Sequence, residues 1–378
     1  MAARSRFYIF YFLIILVSLS GCNQYQKVLK SGDVQYKYAK AVEFYDKKQY
    51  HNALPVFEEL LGLMKGGTQT EDLYYYYAMC YYKQRNYLLA AYYFQNYVEI
   101  YPLSVHSQEC LFNRAECFYK LSPWASLDQE NTSKAIEAYQ VYINTYPEAE
   151  EVAACNDKID ELRDKLEEKA IEIARLYYRT RAYRAAAVSL DNLLIDFPDI
   201  ERAEYIKFLT IQANYKFAEN SYINKKAERY ADAIDSYDAF VARYPSSEYM
   251  EEANDYLERS HFHIILSQYE YGLSAKPLLK EGIFKQAIES YGKHSGNLSD
   301  EKLVDQATKV LEDSYFWIVK ANYQLAQSSK RETKAKYYNK AIEAYYIFVD
   351  RYSESKYYKE LTRIFNNSSK NLEELKSV

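Results

Sequence analysis

The chain has 378 residues, with 48 Lys and Arg against 53 Asp and Glu, and its formal net charge of −5 speaks against non-specific nucleic-acid binding. Only 9 Gly and 7 Pro are present, far below the roughly 7% and 5% of average usage, so a fold of sheets and long turns is excluded and almost all of the chain is expected to be helix. Tyr is the unusual component at 45 residues; stacked helices can bury each ring in a layer and leave its hydroxyl at the wet edge.

The chain begins MAARSRFYIFYFLIILVSLSGC. Arg4 and Arg6 give a charged start, and Phe7 to Leu19 is an apolar run too short to span a bilayer comfortably. Leu19-Ser20-Gly21-Cys22 resembles the lipobox of bacterial lipoproteins. Residues 1–21 are therefore expected to be a cleaved signal peptide, with diacylglycerol on the Cys22 thiol and an acyl chain on the new amino terminus as an effectively permanent anchor. Cleavage removes Arg4 and Arg6 and takes the net charge to −7. Residues 22–33 read as the lipidated terminus and a polar tether. Asn23 is not the Asp that resembles an inner-membrane retention signal, and no acidic run resembles a surface-export signal. The expected location is the outer membrane, lipid-anchored and facing the periplasm.

From Val34 onward one register recurs. In AIEAYQVYINTYP, Ala135 is followed four residues on by Tyr139 and eight further on by Pro147. Ala53 and Phe57 open a version without the Pro. The pattern returns at Ala90, Phe94 and Pro102, at Ala186, Leu190 and Pro198, and at Ala233, Tyr237 and Pro245. Ala341 and Tyr345 repeat it with Ser353 in place of Pro. The Ala lets two helices approach closely, the aromatic one turn on fills the groove from the same face, and the Pro stops the helix. A partner helix carries a small residue with an aromatic three positions on: Ala41 and Phe44, Ala78 and Tyr81, Ala115 and Phe118, Ala174 and Tyr177. In the shortest repeats the two Ala lie 12 residues apart, at 41 and 53, 78 and 90, 174 and 186. The spacing predicts an all-α, tetratricopeptide-like solenoid of helical hairpins wound as a right-handed superhelix. An ordinary helical bundle has no reason to repeat one register this often.

In chain order, the first hairpin spans Val34 to Met64 and is broken by Gly66-Gly67; the second spans Glu71 to Tyr101. The third begins near Ser107, an expected N-cap, and carries the insertion SPWASLDQ at 122–129. The fourth opens with a helix from about Glu150 to Tyr178, whose heptad-like charges suggest that it projects beyond the stack. The fifth runs from Ile200 to Tyr244, with a polar insertion expected at Asn220 to Glu228. A long helix to about Tyr271 follows, then hairpin segments at Gly282–Tyr291, Leu303–Gln327 and Lys334–Tyr352, and a polar last helix as cap. Residues 34–272 thus read as the repeat domain and 273–378 as a C-terminal extension, in which the register is degenerate between Ala275 and Asp300.

The sequence holds no Gly-rich phosphate loop, CxxC, HExxH or nucleophile elbow, so neither catalysis nor a cofactor is expected. His261 and His263 are two apart on a helix and so on different faces, which speaks against a metal site. Cys80, Cys110, Cys117 and Cys155 all fall on predicted helices and read as small buried residues at helix crossings. Cys110 and Cys117 are too far apart to bridge each other; a bridge from Cys80 to either is left open.

A lipobox, a short tether and a run of such hairpins together resemble the BamD family, the tetratricopeptide lipoproteins of the outer-membrane β-barrel assembly machinery. The resemblance is strongest at QYQKVLKSGDVQYKYAKAVEFYDKKQYHNALPVFEELL, at LYYYYAMCYYKQRNYLLAAYYFQNYVEIYP and at SPWASLDQ, and covers roughly Cys22 to Tyr271. It implies a scaffold without catalysis that holds the POTRA-domain barrel protein BamA through C-terminal repeats. It also implies that N-terminal repeats receive extended segments of unfolded outer-membrane proteins. Tyr36, Tyr38, Tyr74 and Tyr75, on the first helices of the first two hairpins, are the candidate contacts for such a segment. The tail from about Ala275 departs from the family pattern. A rival reading is a SusD-type lipoprotein that captures glycans beside a TonB-dependent transporter; such proteins carry large Trp-bearing loops, whereas this chain has 2 Trp. A third is a periplasmic scaffold for cell-envelope enzymes.

Overall fold

The computed structural model describes residues 24–64 and 69–376. The signal peptide expected at 1–21, Cys22, and the Gly66-Gly67 break lie outside the described residues. After a helical stretch at 24–30 (α1) come α2 (Val34–Asp46), α3 (Tyr50–Leu63), α4 (Thr70–Lys83), α5 (Tyr87–Ile100), α6 (Ser107–Leu121), α7 (Glu130–Thr145) and α8 (Val152–Arg179). Then follow α9 (Tyr183–Asp196), α10 (Ala203–Glu219), α11 (Ile223–Arg243), α12 (Met250–Ser274), α13 (Pro277–His294), α14 (Glu301–Ser328), α15 (Arg331–Arg351) and α16 (Tyr358–Lys376). No strand occurs among the described residues. The helices form two compact units, divided inside α8 between Lys169 and Ala170.

The alanines of the recurring register are the crossing points. Ala41, Ala53, Ala78, Ala90, Ala115, Ala135 and Ala186 are fully buried, as are the rings of Phe57, Phe94 and Tyr139 one turn beyond three of them. A methyl group at the crossing keeps the helix axes close enough for the neighbouring rings to interlock. In the shortest hairpins the first helix ends on a tight reversal with a left-handed residue: Lys48 at φ 59, Arg85 at φ 62 and Arg181 at φ 62. The next N–H in each reaches back five residues, from Gln49 to Phe44, Asn86 to Tyr81 and Ala182 to Tyr177.

The second helices end alike. Tyr101, Tyr146, Phe197, Tyr244 and Tyr352 cap α5, α7, α9, α11 and α15 with φ between −125 and −134 and ψ between 60 and 75. Each carbonyl accepts the N–H three residues on, at 3.1–3.3 Å. Pro102, Pro147, Pro198 and Pro245 occupy the second position of these turns, where a fixed φ is favourable and no N–H is needed. Ser353 makes the same turn without the ring.

The second unit is more regular than its sequence suggests. Positions 54 residues apart coincide: Phe208, Phe262 and Phe316 are all buried, and so are Ala233, Ala287 and Ala341. Phe208 stacks on Tyr249 at 4.9 Å, and Phe316 on Tyr357 at 4.1 Å. The middle copy looks degenerate because His294 stands where the others have Phe240 and Phe348, and Leu298 where they have Tyr244 and Tyr352. There the connection is a 3-10 turn over Ser295–Asn297, and the Glu258 carboxylate ties it down, accepting from Ser299 Oγ at 3.0 Å and Asp300 N at 2.7 Å.

Five local expectations are corrected. Residues 24–30 are not free tether: they form α1, with Val28 fully buried in the first core and Tyr25 edge-on to Phe44 at 6.1 Å. Ser107 is not an N-cap: it is the first residue of α6, and its hydroxyl donates to Tyr101 O at 2.5 Å, fastening the helix to the turn before it. Tyr177 is 40% exposed, and Tyr178 instead packs in the core with Ala174 and Ala186. The extra polar residues at Asn220 to Glu228 form no separate segment between helices: α11 starts at Ile223, so most of them are its solvated first turns, with Lys225 and Glu228 paired along the helix at 2.6 Å. Nor does α8 stand free: Cys155, Ile159 and Leu162 lie in the core of the first unit, and Ile171 and Ala174 in that of the second.

Cys80, Cys110, Cys117 and Cys155 are all free and buried, so the bridge left open from Cys80 does not form. Burial pushes the thiols of Cys80 and Cys117 up to about 12 and that of Cys155 up to about 11. Unfolded thiols ionise near pH ~8.5, so these groups favour the folded state below that pH and the contribution is lost as the pH rises through the folded values. Iodoacetamide at pH 8 is expected to leave all four thiols unmodified in the native protein and to alkylate them after urea unfolding, as read by mass spectrometry. Because Tyr352 already has the conformation of the pre-proline caps, Ser353→Pro is expected to stabilise the protein by about 0.4–1 kcal/mol, measured by urea unfolding.

Candidate peptide-binding face

The first helices of the first unit carry the tyrosines singled out by sequence, and the structure sends them to different places. On α2, Tyr36 is 39% exposed and lies beside Lys27 and Lys30 of α1. Tyr38 is half-buried against the core between α2 and α4, and burial together with the Asp72 carboxylate and Tyr76 raises its hydroxyl above the ordinary tyrosine value. On α4, Tyr74 turns toward α5, with its ring 6.3 Å from both Tyr93 and Tyr97. Tyr75 turns toward α6: it stacks on His106 at 4.1 Å and donates to Glu109 Oε2 at 2.9 Å. The four do not converge on one point.

What does converge is a strip that joins α2, α4 and α6. His106 Nε2 is 3.8 Å from Asp72 Oδ1, and the same carboxylate acts on the Tyr38 hydroxyl. Tyr76 underlies the strip, stacked on Phe57 at 5.7 Å and edge-on to Tyr45 at 5.0 Å. Sequence reasoning missed Asp72, Tyr76, His106 and Glu109. Tyr75 and Glu109 are 34 residues apart, one repeat length, so superposing consecutive first helices would have paired them. Half-exposed rings and carboxylate acceptors side by side can stack on aromatic side chains and accept backbone N–H groups.

The packing beneath is held by buried charge. Glu116, 8% exposed, accepts from the Tyr139 hydroxyl at 2.5 Å and pairs with Lys158 of α8. Burial and the Glu116 carboxylate together hold the Tyr139 hydroxyl well above the ordinary tyrosine range. Lys37, buried in α2, pairs with Glu59 of α3 at 2.6 Å.

The insertion at 122–129 is an ordered loop. Gln129 is buried at its base and donates to the carbonyls of Trp124 at 2.8 Å and Leu127 at 3.0 Å, while its own oxygen accepts from Thr132 at 2.6 Å. Lys169 donates to Ser126 O at 2.8 Å. The loop thereby holds Trp124 at 83% exposure and Leu127 at 56%. A Trp presented on a fixed loop is a surface suited to a protein partner.

In the second unit His261 Nδ1 lies 2.8 Å from His294 Nδ1, and His263 stacks on Tyr230 at 5.1 Å. Burial lowers both His261 and His294 from the ordinary histidine value. Among the described residues no three His, Cys, Asp or Glu side chains gather as a metal site, and no helix is long and apolar enough to cross a membrane.

Hairpins stacked at alanine crossings, with rings and carboxylates along their first helices, define a repeat protein of the tetratricopeptide type. The chain belongs to the YfiO family of outer membrane lipoproteins, whose family model matches residues 31–230. That match starts later and stops earlier than the resemblance read over Cys22 to Tyr271. A putative outer membrane protein assembly factor BamD of Aquifex aeolicus (strain VF5) is 23% identical over 202 residues, 53% of this chain and 66% of that one. The match therefore spans slightly less than two thirds of that relative. Among solved structures, the TPR2AB domain of yeast Sti1 in its pHSP90 complex is 14% identical, covers 74% of this chain and 98% of that one, and has a TM-score of 0.30. Yeast Tom70 is 15% identical, with coverage of 90% and 69% and a TM-score of 0.29. At such scores neither likeness bears on function.

Gln129→Ala is expected to lower stability by about 1–3 kcal/mol, because the Thr132 hydroxyl and the loop carbonyls lose their shared partner. Hydrogen exchange should then show faster opening confined to the loop around Trp124.

Proposed function

We propose that the chain is a non-catalytic scaffold of the complex that assembles β-barrels in the outer membrane. In this reading it binds the POTRA-domain barrel subunit and segments of unfolded outer-membrane proteins. The observation that carries it is membership of the outer membrane lipoprotein family over residues 31–230, and the assembly-factor name of the Aquifex relative supports it. Residues 1–21 act as the signal peptide, and Cys22 takes the lipid, which holds the repeats on the periplasmic face of the outer membrane close to α1. The hairpins over 34–272 hold partner and cargo, and 273–378 extend the stack.

The mechanism is recognition. An unfolded barrel strand is extended and rich in aromatic residues, and its main chain offers unpaired N–H groups. Laid across α2, α4 and α6, it meets Tyr36, Tyr38, Tyr74 and Tyr75 as ring surfaces, with Asp72 and Glu109 as acceptors beside Tyr75 and His106. Many weak contacts spread over a rigid face suit a carrier that must later release its cargo. The exposed Trp124 loop is the proposed contact for a folded partner.

Depletion of the protein is expected to lower the folded amount of many outer-membrane barrels together, measured by heat-modifiable mobility on gels. Cys22→Ala is expected to remove the acyl mass and the protein from the outer-membrane fraction. A defect confined to growth on one polysaccharide would support glycan capture instead.

A further inference from the structure

Among the described residues, every non-glycine residue with a left-handed backbone is basic: Lys48, Arg85 and Arg181. Glycine or asparagine takes that position at a helix end with little strain, whereas a long side chain there costs stability. Lys48 and Arg85 lie in the turns of the first two hairpins of the first unit; both are exposed, and neither makes an ion pair among the described residues. The two turns touch, since Gln84 donates to Tyr50 O at 3.2 Å. Lys47 is held by Glu43 at 2.6 Å. That leaves Lys48, Lys83 and Arg85 as one exposed basic patch, with Asp46 as the acid within these turns. Leu88, 62% exposed, follows Arg85 on the first turn of α5.

The opposite edge of the same unit, where second helices lead into first ones, exposes carboxylates instead: Asp72, Glu109, Glu148 and Glu150. The start of α1 lies on the basic side. Tyr25 meets Phe44 at 6.1 Å, and Phe44 O accepts from Gln49 N in the first turn. Lys30, at the other end of α1, lies beside Tyr36 near the start of α2, so α1 runs antiparallel to α2. Residue 24 begins α1, and the two chain steps from Cys22 cover at most about 7 Å. Acyl chains on Cys22 therefore enter the bilayer close to the Lys48 turn and away from the carboxylates.

We propose that the edge formed by the Lys48 and Arg85 turns docks on a surface of anionic phospholipid headgroups. Lys48, Lys83 and Arg85 meet the phosphates, and Leu88 enters the headgroup boundary. Each basic residue at such a surface is worth roughly fivefold in affinity, enough in sum to hold an already anchored chain in one orientation. The opposite edge then points away from the membrane, because the same surface repels its carboxylates. The third turn in the row, the Trp124 loop, is left to the folded partner. This docking deepens the lipid-anchor reading of Cys22 and rests on it.

The test places the lipidated protein in vesicles of phosphatidylcholine, with or without added phosphatidylglycerol, and follows by mass spectrometry how fast acetic anhydride modifies each lysine. With phosphatidylglycerol present, Lys48 and Lys83 are expected to react about fivefold more slowly or less, and to recover their rates at high salt. Lys30, exposed at the far end of α1, is expected to keep its rate. Lys48→Asn combined with Arg85→Asn removes two charges while suiting the left-handed backbone, so the turns are kept and the slowing at Lys83 is expected to disappear. A Cys22 without acyl mass would overturn the anchor reading and this proposal with it. With the acyl mass present, equal rates on the two vesicles, slowing of Lys30 in place of Lys83, or slowing that survives the double variant would overturn the docking alone.

Discussion

Two helices cross at close range only where one of them presents a methyl group or less, and the stack depends on meeting that condition at every step. Ala53, Ala90, Ala135 and Ala186 meet it on second helices, and Ala41, Ala78 and Ala115 on first helices. With the axes held close, the rings one turn away are forced into layers: Phe57 with Tyr76, Tyr97 with Tyr101, Phe208 with Tyr249. A larger side chain at any crossing would separate the axes and unstack the layer beyond it. The aromatic caps at Tyr101, Tyr146, Phe197, Tyr244 and Tyr352 then fix where each second helix stops and the next hairpin begins.

The fold was legible in the sequence because these two devices are local. An Ala-to-aromatic step of four and an aromatic-Pro turn leave their mark within a dozen residues, and the helix boundaries follow from them. What was not legible depends on partners far along the chain. Whether Lys225 begins a helix or sits in a loop is decided by the packing of Tyr230 and Ala233 further along α11, not by the polar residues themselves. The 54-residue periodicity of the second unit was hidden where His294 and Leu298 replace aromatics, because the structure answers with a different turn held by Glu258.

The candidate face was legible only by residue type. Sequence position placed Tyr36, Tyr38, Tyr74 and Tyr75 on first helices, but helical phase sends Tyr74 to α5 and Tyr75 to α6. The acceptors that accompany them, Asp72 and Glu109, gain their meaning from contacts with His106 and Tyr75. The abundance of Tyr follows from the same geometry. A ring can sit in a layer while its hydroxyl reaches a carboxylate at the edge, as Tyr119 does with Glu161 at 2.6 Å and Tyr357 with Asp313 at 2.7 Å. A face built this way is rigid yet polar enough to stay hydrated, which suits transient hold on an unfolded chain better than permanent burial of one.

The central claim is that these stacked hairpins serve the outer-membrane assembly complex. The most direct measurement is recovery of the tagged protein from mildly solubilised outer membranes, with its partners identified by mass spectrometry. The account predicts a POTRA-bearing barrel protein among the stoichiometric partners. Recovery of a TonB-dependent transporter in its place, with no POTRA-bearing protein, would contradict it.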